Sequence, residues 1–153
     1  MVQFDDQAQR VYNAESCCSP ATYGRHFQSL AEIEAWLLDL TGQRWFQRRF
    51  PAFERVQLHD GRGITWAQGW LAEDGISHIN LPRAMRSELY VLHELAHGLG
   101  QHSHDREFCA TYLTLVHFGL GRDAANDLKR EFVWWKVRHR RFPIWQVFDP
   151  DDD

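Results

Sequence analysis

Between residues 93 and 104 the chain carries four of its nine histidines, and the first two bracket a glutamate in His93-Glu94-Leu95-Ala96-His97. On a helix, a spacing of four residues turns a side chain through about 400°, so the two imidazoles leave one face a turn apart and can grip one metal ion. Glu94 stands beside that pair. A carboxylate there can take the proton of a water that a metal has activated, so these residues point to metal-assisted hydrolysis with a general base. A catalytic zinc shell takes three protein ligands and keeps a fourth position open, so a third ligand must come from elsewhere.

Spacing narrows the choice. The metzincin pattern H-E-x-x-H-x-x-G-x-x-H is met at Gly100 but fails at Ser103, where its third histidine belongs. A glutamate from a later helix, as in thermolysin-like enzymes, would be Glu107 or Glu131, and neither sits in that family's surrounding pattern. His102 and His104 remain. His104 is the better candidate because it opens His104-Asp105-Arg106-Glu107-Phe108, a loop-to-helix junction from which a ligand can fold back. If both bound, the site would be closed and structural. Asp105 is expected to cap the helix after it, the alternative being to orient a ligand histidine. Tyr90, Tyr112 and His117 are nearby side chains of the type that can donate to a developing oxyanion, and each also suits plain packing.

The elements that must position these residues follow from hydrophobic spacing. Leu92, Leu95, Ala96 and Leu99 form an apolar stripe that predicts a core-packed helix over residues 83–101. Ser29-Leu30-Ala31-Glu32 is a capping box, and Ile33, Trp36, Leu37 and Leu40 continue it as an amphipathic helix ending at Gly42. Residues 53–59, 64–71 and 76–81 read as short strands separated by Gly61-Arg62-Gly63 and Asp74-Gly75, which predicts an antiparallel three-stranded meander. The strand at 76–81 either borders the cleft and adds a peptide substrate to its edge or is an ordinary sheet strand. Pro82 ends it, and two further helices run over residues 105–118 and 123–140. Residues 1–26 read as an irregular N-terminal segment, with at most a short strand or helix at 11–14. The expected class is α+β, a compact zincin-like domain with an N-terminal helix, a small sheet, the motif helix and two C-terminal helices.

At 153 residues and 44% hydrophobic content the chain suits one packed domain over 1–153, with an acidic tail at 142–153. No segment approaches the roughly 20 apolar residues of a membrane helix and no signal peptide is recognisable, so no membrane partner and a cytoplasmic location are expected. Three cysteines, two of them adjacent at Cys17 and Cys18, suggest no disulfide framework, and Cys109 reads as a small buried residue. The segment from Lys129 to Arg141 holds six basic residues and one acidic one, +5 in a chain of −4, leaving −9 elsewhere. It can be a nucleic-acid patch, but a pI near 6.1 and the acidic tail favour a solvated helix that turns Leu128, Phe132 and Trp135 to the core.

The order His93-Glu94-Leu95-Ala96-His97, six residues, then His104-Asp105-x-x-Phe108 resembles the SprT-like (Spartan-type) zinc metallopeptidases, whose third histidine lies in an H-G-x-x-F element; here Asp105 replaces the glycine. More of the chain looks like a small group of metallohydrolases of actinobacteria and their phages, whose substrate is undefined. The matching pieces are Arg10-Val11-Tyr12-Asn13-Ala14-Glu15, Arg44-Trp45-Phe46 with Arg49-Phe50-Pro51, and Ile79-Asn80-Leu81-Pro82 before the motif helix. The resemblance implies metal hydrolysis and leaves the substrate unnamed. The combined expectation is a zinc-dependent hydrolase, foremost a peptidase acting on a peptide or protein, with His93, His97 and His104 on Zn2+ and Glu94 as base. The alternatives are a nucleic-acid-associated SprT-like protease and a nonenzymatic zinc-stabilised interaction module.

Overall fold

A computed structural model describes residues 5–139. In chain order it contains α1 (Ala8–Ser16), α2 (Pro20–Tyr23), α3 (Leu30–Thr41), α4 (Arg44–Arg49), β1 (Val56–His59), β2 (Gln68–Leu71) and β3 (Ser77–Asn80). A 3-10 turn (Arg83–Met85) leads to α5 (Glu88–Gly98), α6 (Arg106–Leu120) and α7 (Arg122–Trp134). Among the described residues the class is therefore α+β, with seven α-helices and a small mixed sheet. No described helix is long and apolar enough to cross a membrane.

Side-chain caps set where three of these helices start. Ser29, Ser87 and Asp105 accept from the amides of Glu32, Tyr90 and Phe108 at 3.2, 3.2 and 2.9 Å, each satisfying a donor the first turn leaves unpaired. The caps at Ser29 and Asp105 match the sequence reading, with Glu32 reaching back to accept from the Gln28 amide at 3.0 Å rather than from that of Ser29. The motif helix is shorter than its stripe suggested: Pro82 is extended, residues 83–85 make only a 3-10 turn, and the helix runs from the Ser87 cap to Gly98. Helix α5 is buried almost all round because β2 and β3 cover one side and α6 the other, while α7 closes over α6 and packs against α1 and α2.

The sheet corrects the expected antiparallel meander. Its order is β1-β3-β2, with β1 parallel to β3 and β2 antiparallel to it. Asp74-Gly75 does make the expected hairpin between β2 and β3, with Ile76 donating to the Asp74 carboxylate at 2.9 Å. The chain after β1, however, does not turn back at Gly61-Arg62-Gly63. A Cβ on Gly61 would overlap the Leu81-Pro82 backbone, and Arg86 donates to the carbonyls of both Asp60 and Leu81, at 3.2 and 3.1 Å. The exits of β1 and β3 are thereby tied side by side, which makes those strands parallel and puts β3 in the centre.

That order leaves β3, the strand before the motif helix, as an ordinary central strand, the second of the two readings, and gives an edge to β2. Ser77 and Leu81 donate toward β1, so by alternation His78 and Asn80 pair with Trp70 and Gln68. Gly69 and Leu71 then turn their N–H and C=O groups to the open edge. Gly69 also lies flat on α5, where any Cβ would overlap the Glu94 carbonyl oxygen.

Four further helices depart from the sequence reading. Helices α1 and α2 occupy part of the segment taken as irregular; α1 buries Val11, Ala14 and Glu15, and the charge among them hides its apolar stripe. Helix α4 was not anticipated and carries Phe46 into an aromatic cluster with Trp45, Phe50 and Phe53. Helix α7 stops at Trp134 rather than near residue 140: Lys136 adopts φ 56°, and Val137 donates back to the Phe132 carbonyl at 2.8 Å while burying its side chain.

Candidate metal centre

Helix α5 directs His93 and His97 to one side, and the loop before Asp105 brings His104 across to them. The Nε2 atom of His104 lies 3.1 Å from that of His93 and 3.2 Å from that of His97. The three potential ligand atoms all fall within 4.8 Å of one another. A tetrahedral zinc ion with bonds of about 2.0–2.1 Å sets its ligand nitrogens roughly 3.3 Å apart, so the cluster has the size of one ion. Phe108 holds it from below, its ring 4.9, 4.5 and 4.8 Å from those of His93, His97 and His104.

The far side of each ring decides which nitrogen faces inward. His93 Nδ1 lies 2.9 Å from Glu15 Oε2, His104 Nδ1 lies 2.8 Å from Asp5 Oδ2, and His97 Nδ1 faces the Gln101 carbonyl. These partners can only accept, so every Nδ1 carries hydrogen and donates. Such outer acceptors are the usual support of metal-bound histidine. Three Nε2 lone pairs aimed at one point repel unless a positive charge stands among them, and the residues present thus fit a metal ion.

The ionisation of the cluster expresses the same demand. Burial opposes a charge on His93, but Glu15, by its charge and its hydrogen bond, raises that ring to about 8 with help from Glu94. Burial and then the His93 charge push His97 down to about 3 and hold His104 below its ordinary value. One ring takes a proton and the other two stay neutral around it. A bound cation would replace that proton.

Glu94 is 7% exposed, with Oε1 3.9 Å from His93 Nε2. Burial raises its carboxyl to about 7, the His93 charge opposing and the Glu15 charge adding to the shift. A base near neutrality is matched to taking and returning a proton at ordinary pH.

The structure brings together His93, His97, His104 and Glu94 as the spacing predicted. His102 is exposed and outside the cluster, and Glu107 and Glu131, both partly buried, also lie outside it. Asp105 caps α6. Tyr112 is wholly buried and donates to Glu15 Oε2 at 2.8 Å, bracing the carboxylate that holds His93, so it is not an oxyanion donor. Tyr90 packs edge-on against Tyr23, and His117 packs against Phe118 near the far end of α6. Cys109 is buried and unpaired.

Asp5, Glu15 and Tyr12 were not foreseen. Asp5 accepts from both the backbone and the ring of His104, at 3.0 and 2.8 Å. These hydrogen bonds overcome the effect of burial and hold its carboxyl below the ordinary value. Tyr12 stacks on His93 at 6.0 Å and meets His104 edge-on at 5.1 Å. Its hydroxyl is raised to about 12 by burial, then by the charges of Glu94, Glu15 and Asp5. The only trace of this shell in the sequence was the stretch from Arg10 to Glu15, noted for resemblance and not for chemistry.

In the basic segment Leu128 and Phe132 are buried and Trp135 packs against the core, while Val133 and Trp134 are exposed. Arg138 pairs with Asp6 at 2.7 Å. Arg140, Arg141 and the acidic tail lie outside the described residues. No family model, curated protein or solved structure matches the chain.

Proposed function

We propose that the chain is a zinc-dependent peptidase with a zincin-like domain, SprT-like in the spacing of its ligands. The observation that carries this reading is the convergence of three imidazole Nε2 atoms with the buried Glu94 carboxylate at their margin. Zinc suits a three-imidazole set, and when bound it polarises a carbonyl and lowers the pKa of a water toward about 7.

The chain's own groups supply the rest. Glu15 and Asp5 fix the tautomer and orientation of His93 and His104. Glu94 takes the proton of the attacking water on a carboxylate oxygen and returns it to the leaving amine nitrogen, and its burial keeps the proton from bulk solvent. The open edge of β2, resting on α5 at Glu94, offers the Gly69 and Leu71 backbone groups to an extended peptide. Three unpaired cysteines suit a reducing cytoplasm.

The test pairs the wild type with Glu94→Gln on a mixture of quenched fluorescent peptides. Wild type cleaves, and the variant keeps one zinc per chain while losing at least about 100-fold in rate. Equal turnover overturns the reading. A closed structural site is disfavoured because His102, the nearest spare ligand in sequence, lies outside the cluster. The nucleic-acid-associated reading rests on Trp134, 78% exposed and one helical turn after Arg130 on α7. Salt-sensitive binding of single-stranded DNA that is lost in Trp134→Ala would favour it.

A further inference from the structure

Peptide hydrolysis places negative charge on the scissile carbonyl oxygen, and an aimed donor that meets this charge as it develops is worth orders of magnitude in rate. The donors expected from sequence do not serve. Tyr112 spends its hydroxyl on Glu15 and Leu89 inside the core, Tyr90 packs against Tyr23, and His117 lies toward the other end of α6.

Tyr12 differs from each of these. It sits on α1 three residues before Glu15, so the helix face that sends a carboxylate to His93 Nδ1 also lays a phenol ring against His93 and His104. Its ring is held by two of the three imidazoles, nearly parallel to His93 at 19° and edge-on to His104 at 71°. Yet the residue is 47% exposed, and its hydroxyl makes no hydrogen bond among the described residues. A half-exposed ring clamped against the ligands, with an O–H that no described residue engages, is a donor kept for a visiting group.

We propose that Tyr12 is a catalytic residue whose phenol O–H donates a hydrogen bond to the scissile carbonyl oxygen as it becomes an oxyanion. The phenol keeps its proton throughout; the proton that moves is the one carried by Glu94. The inference rests on the peptidase reading and adds the group that recognises the tetrahedral oxygen.

Tyr12→Phe tests it, because the ring contacts with His93 and His104 remain and only the hydroxyl is lost. Metal content should stay at wild-type level, KM should change less than about 2-fold, and kcat should fall about 100-fold. A second readout needs no turnover. In the cobalt(II)-substituted protein, visible absorption follows titration with a phosphinic dipeptide, whose anionic tetrahedral oxygens mimic the oxyanion, and with azide, which lacks them. Tyr12→Phe should weaken the phosphinate at least about 10-fold and leave azide unchanged. Equal phosphinate affinity in both proteins overturns the role of Tyr12 and leaves the peptidase reading standing. Phosphinate binding that depends on Tyr12 without cleavage of any peptide supports Tyr12 and counts against the substrate class. Failure of the wild type to take up cobalt at His93, His97 and His104 overturns both.

Discussion

Replacing Glu15 by glutamine tests whether the buried carboxylate behind His93 sets the strength of the metal site. Glu15 Oε2 accepts from His93 Nδ1 at 2.9 Å and from Tyr112 at 2.8 Å, and both bonds are shielded from water. An amide oxygen can keep both contacts but loses the charge. Charge-assisted bonds contribute about 1.5–3 kcal/mol against about 0.5–1.5 for neutral ones, so His93 loses roughly 1–1.5 kcal/mol of support as a ligand. That is about tenfold in zinc affinity, at the lower end of the 10–100-fold usual for such partners. The same carboxylate also raises the competing protonation of His93 to about 8 in the metal-free protein. Wild-type affinity therefore falls as pH drops through 8, by about thirtyfold at pH 6.5, because the proton must leave before the metal enters. Without the carboxylate that ring protonates at lower pH and the competition shrinks. Competition with a chelating dye should show the variant at least about tenfold weaker at pH 8.5, with the two proteins converging by pH 6.5. Equal affinities at pH 8.5, or a gap that does not change with pH, would mean that the Glu15 charge does not set the strength of the site.

Three further outcomes follow from the same geometry. His104→Ala should weaken zinc binding by at least about 100-fold and His102→Ala by less than about twofold, read with the same dye. Leu71→Pro removes an outward N–H from the open edge of β2 without breaking a bond to β3, so kcat/KM for peptides should fall about 3–10-fold while the melting temperature shifts little. Gly69→Ala should do the reverse in emphasis, lowering the melting temperature measurably, because its Cβ cannot share space with the Glu94 carbonyl and β2 must lift from α5.

The inner ligands were legible because their geometry is local. His93 and His97 are one helical turn apart, and the Asp105 cap and Phe108 announce the junction that returns His104. Glu15 and Asp5 were not legible, because a carboxylate in a polar stretch reads as solvated until its partner is known, and these partners are 78 and 99 residues away. Sheet order failed for a similar reason. Local patterning identifies strands and the Asp74-Gly75 turn, but the parallel pairing of β1 with β3 depends on Arg86 and Gly61, which act across the sheet's end. In α1 a buried charge occupies a position where periodicity expects an apolar residue, so the helix that supports the site was only faintly visible.

Gln7 makes the order of assembly a property of the site. Its amide, 1% exposed, donates to the His104 carbonyl at 2.9 Å and the Arg138 carbonyl at 3.2 Å, and accepts from the Arg138 amide. One side chain thus clasps residues 7, 104 and 138. Closing loops of that length is entropically costly and slow beside the formation of a helix turn. During folding, His93 and His97 come into register as soon as α5 forms, whereas His104 is locked only when sequence segments nearly a hundred residues apart have met. A partly folded chain therefore presents a loose two-histidine site to passing ions, and the three-ligand site is complete only once long-range docking is finished.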